Sequence, residues 1–212
     1  MIHKPLLKAT FSAILPYFIM LFLHFKFFHS TIEWSIVWFF SGLLYTHFFE
    51  YFFHRVPMHK GIKFLQGIKI SHLEHHRIFY GNHFQSRNLS DLEKITMSWY
   101  EFPILFSIHY VIALLALPKQ IIPIFFAGVV LHFLMYETSH WFTHVKDNFF
   151  DEFILSTPLI GDKIWQFRLW QITHHQIHHE TPVINFNFNI PPLGDYIFKT
   201  YSDKPYTRKP RT

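Results

Sequence analysis

The chain has 212 residues, enough for one compact unit and too few for two large ones. Half of it is hydrophobic, 28 residues are Phe, 18 are His and none is Cys, which excludes disulfides and thiolate metal sites. The formal charge of +5 is a mild basic excess, which serves nucleic acid or lipid headgroups depending on where the charges sit.

Four stretches approach the roughly 20 apolar residues needed to cross a bilayer. The first covers about 9–28 and contains Pro16 and Lys26. The second covers about 32–53, the third about 98–117 and the fourth about 121–143. Pro118 stands between the last two, where a hairpin of helices needs its break. Soluble helices keep a polar face, and these stretches hold little of one. The sequence therefore predicts an all-α integral membrane protein with four transmembrane helices and a cytosolic helical cap. The cap comes from 54–97 and 144–201, and the whole of 1–212 forms a single domain.

Charge placement gives the orientation. Lys26 and Lys119 are the only basic residues in the two short turns. All the others precede the first span, lie between the second and third, or follow the fourth. In a four-span topology those segments share one face, and the positive-inside rule makes it cytoplasmic, in a bacterial inner membrane or the endoplasmic reticulum. This accounts for the basic excess without nucleic acid, for which no base-stacking motif or basic helix argues. The N-terminus lacks a small-residue cleavage site after a short apolar core, so no cleaved signal peptide is expected. The tail "KPYTRKPRT" (204–212) is expected to be mobile from its proline and charge content.

Ten histidines fall into four groups: His54 and His59 in "HRVPMH", His72, His75 and His76 in "HLEHH", His140 and His144 in "HWFTH", and His175, His178 and His179 in "HQIHH". In the predicted topology every group lies on the cytoplasmic face or at its membrane boundary. In H-x-x-H-H on a helix, the first and second rings point together and the third points about 100° away, toward a neighbouring ion. Pro57 breaks the helix between His54 and His59 and could aim those two rings at different ions. Ten imidazoles are too many for one ion and fit two ions with about five ligands each. Imidazole suits Fe, Zn and Cu. A zinc hydrolase would show H-E-x-x-H, and neither "HLEHH" nor "HHETP" has that spacing.

Ligating histidines need their second N–H held. Glu50 and Glu137, each one helical turn before a histidine and embedded in apolar sequence, are candidates for that role, with Glu74 and Glu180 inside or beside the clusters. Tyr136 precedes Glu137 in the fourth span and joins the supporting set. His3, His24, His29, His47, His83, His109 and His132 read as packing or interfacial residues, with His47 and His132 facing inward by spacing. His174 adjoins the last cluster out of register.

"EYFFHRVPMH" (50–59), "HLEHH" (72–76), "YETSHWFTH" (136–144) and "HQIHH" (175–179) resemble motifs of the fatty acid hydroxylase/sterol desaturase superfamily, nearest the fatty acid 2-hydroxylase branch. "NFNFNIPPLGDYIFKTY" (185–201) is similar to that branch's closing segment, so the resemblance covers about 45–201. It implies a membrane non-haem di-iron monooxygenase that hydroxylates an unactivated C–H bond of a lipid, a fatty acyl chain first, using O2 and two electrons. It implies that the ten histidines are the iron ligands, with zinc possible as purified. A division that follows puts His54, His72, His75, His175 and His178 on one ion and His59, His76, His140, His144 and His179 on the other. A fused haem domain of the kind relatives carry is missing from the sequence, so the implied electron donor is a separate cytochrome- or ferredoxin-type partner. The chain departs from the family at Asn187 and Lys199, where glycine is usual, and at Val145, where a further histidine is usual. Desaturation, sterol oxidation and aldehyde deformylation on the same scaffold are the alternative chemistries. A non-catalytic membrane metal-binding protein is the alternative class.

Overall fold

A computed structural model describes residues 3–29, 32–158 and 160–204. The expected mobility of the tail concerns 205–212, outside the described residues. The fold is all-helical. Its α-helices are α1 (Lys4–Phe28), α2 (Ile36–Phe53), α3 (Gln66–Ile78), α4 (Leu89–Leu92), α5 (Glu101–Ala116), α6 (Ile122–His144), α7 (Phe149–Ser156), α8 (Gly161–Glu180) and α9 (Leu193–Ile197). The β pairing among the described residues is one isolated bridge, Ser86 to Val145. The chain divides into two compact units, one from 1–47 with 96–139, the other from 48–95 with 140–212.

The first unit is apolar on its outside. α1 starts with Pro5 in its first turn, where the missing N–H costs nothing, and closes on His29 in the left-handed conformation. It packs on α5 and buries Ala9, Ala13 and His24, while Leu7, Phe11, Phe22 and Phe27 are each more than 60 % exposed. A helix that hides alanines and shows phenylalanines suits lipid, not water. His24 is a structural residue: its ring bonds the Tyr110 hydroxyl at 2.7 Å and the Lys119 carbonyl at 3.0 Å. α2 and α6 approach backbone to backbone. A Cβ on Gly42 would strike the Phe125 carbonyl, and one on Gly128 the Phe39 carbonyl. Pro118 lies between the end of α5 and the start of α6, as its chemistry requires.

The four-span expectation is corrected to two candidates. α1 and α6 are long and apolar enough to cross a membrane, α1 with few buried residues and α6 more than half buried. α2 holds 18 residues and carries Tyr45, Thr46, His47 and Glu50 in its second half. α5 has 16 residues. That is about 24 Å of helix at 1.5 Å per residue, against about 30 Å of hydrocarbon.

The second unit is polar inside. His54–Lys60 forms a π-helical segment, closed by the Gly61 N–H on the Val56 carbonyl at 2.7 Å. Pro57 is accommodated in this wider turn and does not break it. The Asn148 side chain caps α7 through the Asp151 N–H at 3.0 Å and ties it to α6 through the Phe142 and Val145 carbonyls. Arg168 of α8 reaches Asp151 at 3.0 Å and the Thr143 hydroxyl at 2.8 Å, so a buried ion pair fixes α8 against the end of α6.

The closing segment, 185–201, is organised by one carboxylate. Asp195 accepts the Phe186 N–H at 2.8 Å, the Asn187 N–H at 2.7 Å and the Thr200 hydroxyl at 2.7 Å. Tyr51, fully buried, stacks on Phe198 at 4.9 Å and meets the Thr200 hydroxyl at 3.1 Å, while Arg55 donates to the Tyr51 hydroxyl at 2.7 Å. Lys199 sits at φ +56°, a conformation that favours glycine and the residue type the resemblance expects there. At Asn187 the side chain is used instead: its carbonyl accepts the Gly194 N–H at 2.8 Å.

Candidate metal centre

All ten cluster histidines belong to the second unit. They form two groups of five whose ligand atoms lie within 4.8 Å of one another. The outer group is His54, His59, His72, His76 and His178, and the inner group is His75, His140, His144, His175 and His179. His59 and His72 are half-buried, and the other eight are buried.

This grouping corrects the expected division. In each H-x-x-H-H the first and third rings share a group and the middle ring goes to the other: His72 with His76, His175 with His179. On a helix, i and i+4 differ by about 40° and i and i+3 by about 60°, so the fourth residue on is the nearer neighbour. His54 and His59 also share a group, because the π-helical turn brings residues five apart onto one face.

The nitrogens converge. In the outer group His72 Nε2 lies 3.0 Å from the Nε2 atoms of His54, His59 and His76. In the inner group His175 Nε2 lies 3.1 Å from those of His140 and His144 and 3.0 Å from that of His179. At a metal–nitrogen distance of about 2.1 Å, ligands at right angles sit about 3.0 Å apart and tetrahedral ligands about 3.4 Å apart. The observed separations are in the range that ligands of one ion adopt.

Backbone carbonyls hold the far side of four rings. His54 Nδ1 donates to Phe186 at 2.6 Å, and His178 Nδ1 to Ile184 at 2.7 Å. His75 Nδ1 donates to Lys94 at 3.1 Å, and His144 Nδ1 to Phe84 at 2.8 Å. A neutral imidazole that donates from Nδ1 carries its lone pair on Nε2, so these rings aim lone pairs inward. His75 Nε2 is buried with no hydrogen-bond partner. Burial holds His54 down at about 4, and burial with neighbouring rings adding to the effect holds His76 at about 3 and puts His175, His178 and His179 well below the ordinary histidine range. The rings are therefore neutral at pH 7, the state a metal ion requires. Converging lone pairs and an orphaned buried nitrogen are what a cation satisfies, and the residues present fit one in each group.

Aromatic rings close the surroundings. Phe188 lies 4.8 Å from His175 and 5.3 Å from His140. Phe79 and Phe84 cover His144 at 4.4 and 4.7 Å, and Phe186 covers His178 at 5.7 Å. His76 and His179, one from each group, stack at 4.1 Å with 12° between their planes.

Backbone and side-chain donors occupy the acids proposed as supports. The Glu50 carboxylate takes the N–H groups of Phe188 and Asn189 and the Asn189 amide, so it reaches the histidines through the closing segment. Glu137 accepts the Met97 N–H at 3.2 Å; it and Tyr136 belong to the first unit. Glu180 accepts from Gln176 at 3.2 Å, along its own helix, and Glu74 pairs with Lys94 at the surface. Asp195, which holds the closing segment, was missed as a support. His174, out of register with the ligands, bonds the Asn187 carbonyl at 3.0 Å between the rings of Trp170 and Tyr201. Comparison with family models, with curated proteins and with solved structures found no match to this chain.

Proposed function

We propose that the chain is an O2-dependent non-haem di-iron oxygenase that hydroxylates an unactivated C–H bond of a membrane lipid, a fatty acyl chain first. The observation that carries this reading is the pair of all-imidazole groups, five converging donors each. Iron bound there supplies O2 activation and one-electron chemistry that no side chain can perform. The balance is R–H, O2, two electrons and two protons giving R–OH and water.

The chain's own residues do the rest. The Phe186, Ile184, Lys94 and Phe84 carbonyls fix ring orientation and tautomer, which raises ligand basicity. Phe79, Phe84 and Phe188 exclude water around the inner group, protecting a reactive centre from side reactions. α1 and α6 hold the protein in the lipid phase where an acyl substrate dissolves.

The test is mass spectrometry of acyl lipid incubated with iron-loaded protein, labelled O2 and a reductant. The expected product carries one oxygen atom from O2 and is absent with His175→Ala. A product short of two hydrogens would move the reading to desaturation on the same scaffold. Bound metal without turnover would move it to a metal-binding protein.

A further inference from the structure

The solvent-reaching edge of the outer group borders a surface of uneven charge. From 51 to 73 the chain has no acidic residue, and it carries Arg55, Lys60, Lys63 and Lys69. Lys60 and Lys63 are exposed, and neither joins an ion pair among the described residues. Lys69 Nζ donates to the Lys60 carbonyl at 3.0 Å, which holds its charge beside the π-helical segment. Among these cations stand Phe64, 87 % exposed, and Ile70, 66 % exposed. No large hydrophobic side chain among the described residues is more exposed than Phe64. His59 immediately precedes Lys60, and His72 follows Lys69 by less than one helical turn. These two are the half-buried members of the ten.

We infer that this patch docks an acidic one-electron carrier protein, with Lys60, Lys63 and Lys69 meeting its carboxylates and Phe64 seated as the apolar contact. Complementary charge steers encounter and orients the partner, and a small apolar centre with a charged rim suits a short-lived complex. An anionic lipid surface would use the lysines and Phe64 equally well. It gains nothing from two ligand-group rings that reach solvent beside the patch, whereas a carrier docked there approaches those rings directly. The inference rests on the oxygenase reading, which consumes two electrons per turnover; each carrier molecule is oxidised by one electron per encounter.

The experiment uses the full chain in detergent, loaded with iron, with a plant-type [2Fe–2S] ferredoxin as the acidic probe. Calorimetry reads ferredoxin binding against salt, and stopped-flow reads reduction by reduced ferredoxin and, separately, by a small uncharged flavin. Lys63→Glu is expected to slow reduction by ferredoxin roughly tenfold at low ionic strength, with the difference disappearing at high salt. Phe64→Ala is expected to weaken binding measurably. Iron content and reduction by the flavin should stay unchanged in both. Equal ferredoxin binding and rates in the native chain and both variants would overturn the docking surface. No iron uptake, or no reduction by the flavin, would overturn the oxygenase reading instead, while calorimetry still reports on the patch. The chain has no cysteine, so a fluorophore on Phe64→Cys is the sole label. Shielding of that label from an aqueous quencher in anionic nanodiscs would replace the carrier with the lipid surface.

Discussion

The two histidine groups use the same donors in unlike surroundings. The outer group borrows its fixed carbonyls from Phe186 and Ile184, in and beside the closing segment, and lets His59 and His72 reach solvent. The inner group leans on carbonyls of Phe84 and Lys94, and Phe79, Phe84 and Phe188 wall it in with every ring buried. Identical ligands can thus be given different access by choosing which stretch of backbone supports them. In the proposed chemistry the outer group receives electrons and the inner group does its work in a dry setting.

The strongest way to break this comparison is to remove each central ring in turn. His72→Ala and His175→Ala are each expected to lower bound metal from about two ions per chain to about one, read by elemental mass spectrometry. Loss of both ions from either variant would show a single cooperative site and end the distinction. Asp195→Ala is the next largest test, because Asp195 anchors the backbone that supports His54. The outer group should lose roughly 10–100-fold in metal affinity in a chelator competition while the inner group keeps its own. Equal weakening of both groups would refute the separate-support argument. The smallest effect is expected from Lys199→Gly, which relieves a left-handed residue in the same segment. A gain of up to about 1 kcal/mol corresponds to a melting temperature about 2 °C higher, with metal affinity untouched.

The ten candidate ligands were legible because imidazole at helical spacing has few other uses in a cysteine-free chain. Their partition was not. It turned on a 20° difference between i+3 and i+4 directions, and on a π-helical turn that Pro57 disguised as a break. The backbone supports were illegible for another reason. Sequence shows carboxylates such as Glu50 and Glu180 but cannot show which carbonyl a distant loop will present, and carbonyls from 84, 94, 184 and 186 took that role. Span count failed where hydropathy blurred into the polar second half of α2 and where α5 proved short. Gly42 and Gly128 carried a packing message that a single sequence does not reveal.

α3 and α8 each contribute two rings to one group and a third to the other. The separation of the two sets is therefore written into the pitch of two rigid rods. Loops elsewhere can lengthen or shorten without detuning that distance, and neither centre can drift unless both move. Inserting a single residue between His72 and His75, or between His175 and His178, would swing the later donors by about a quarter-turn and misalign both centres at once.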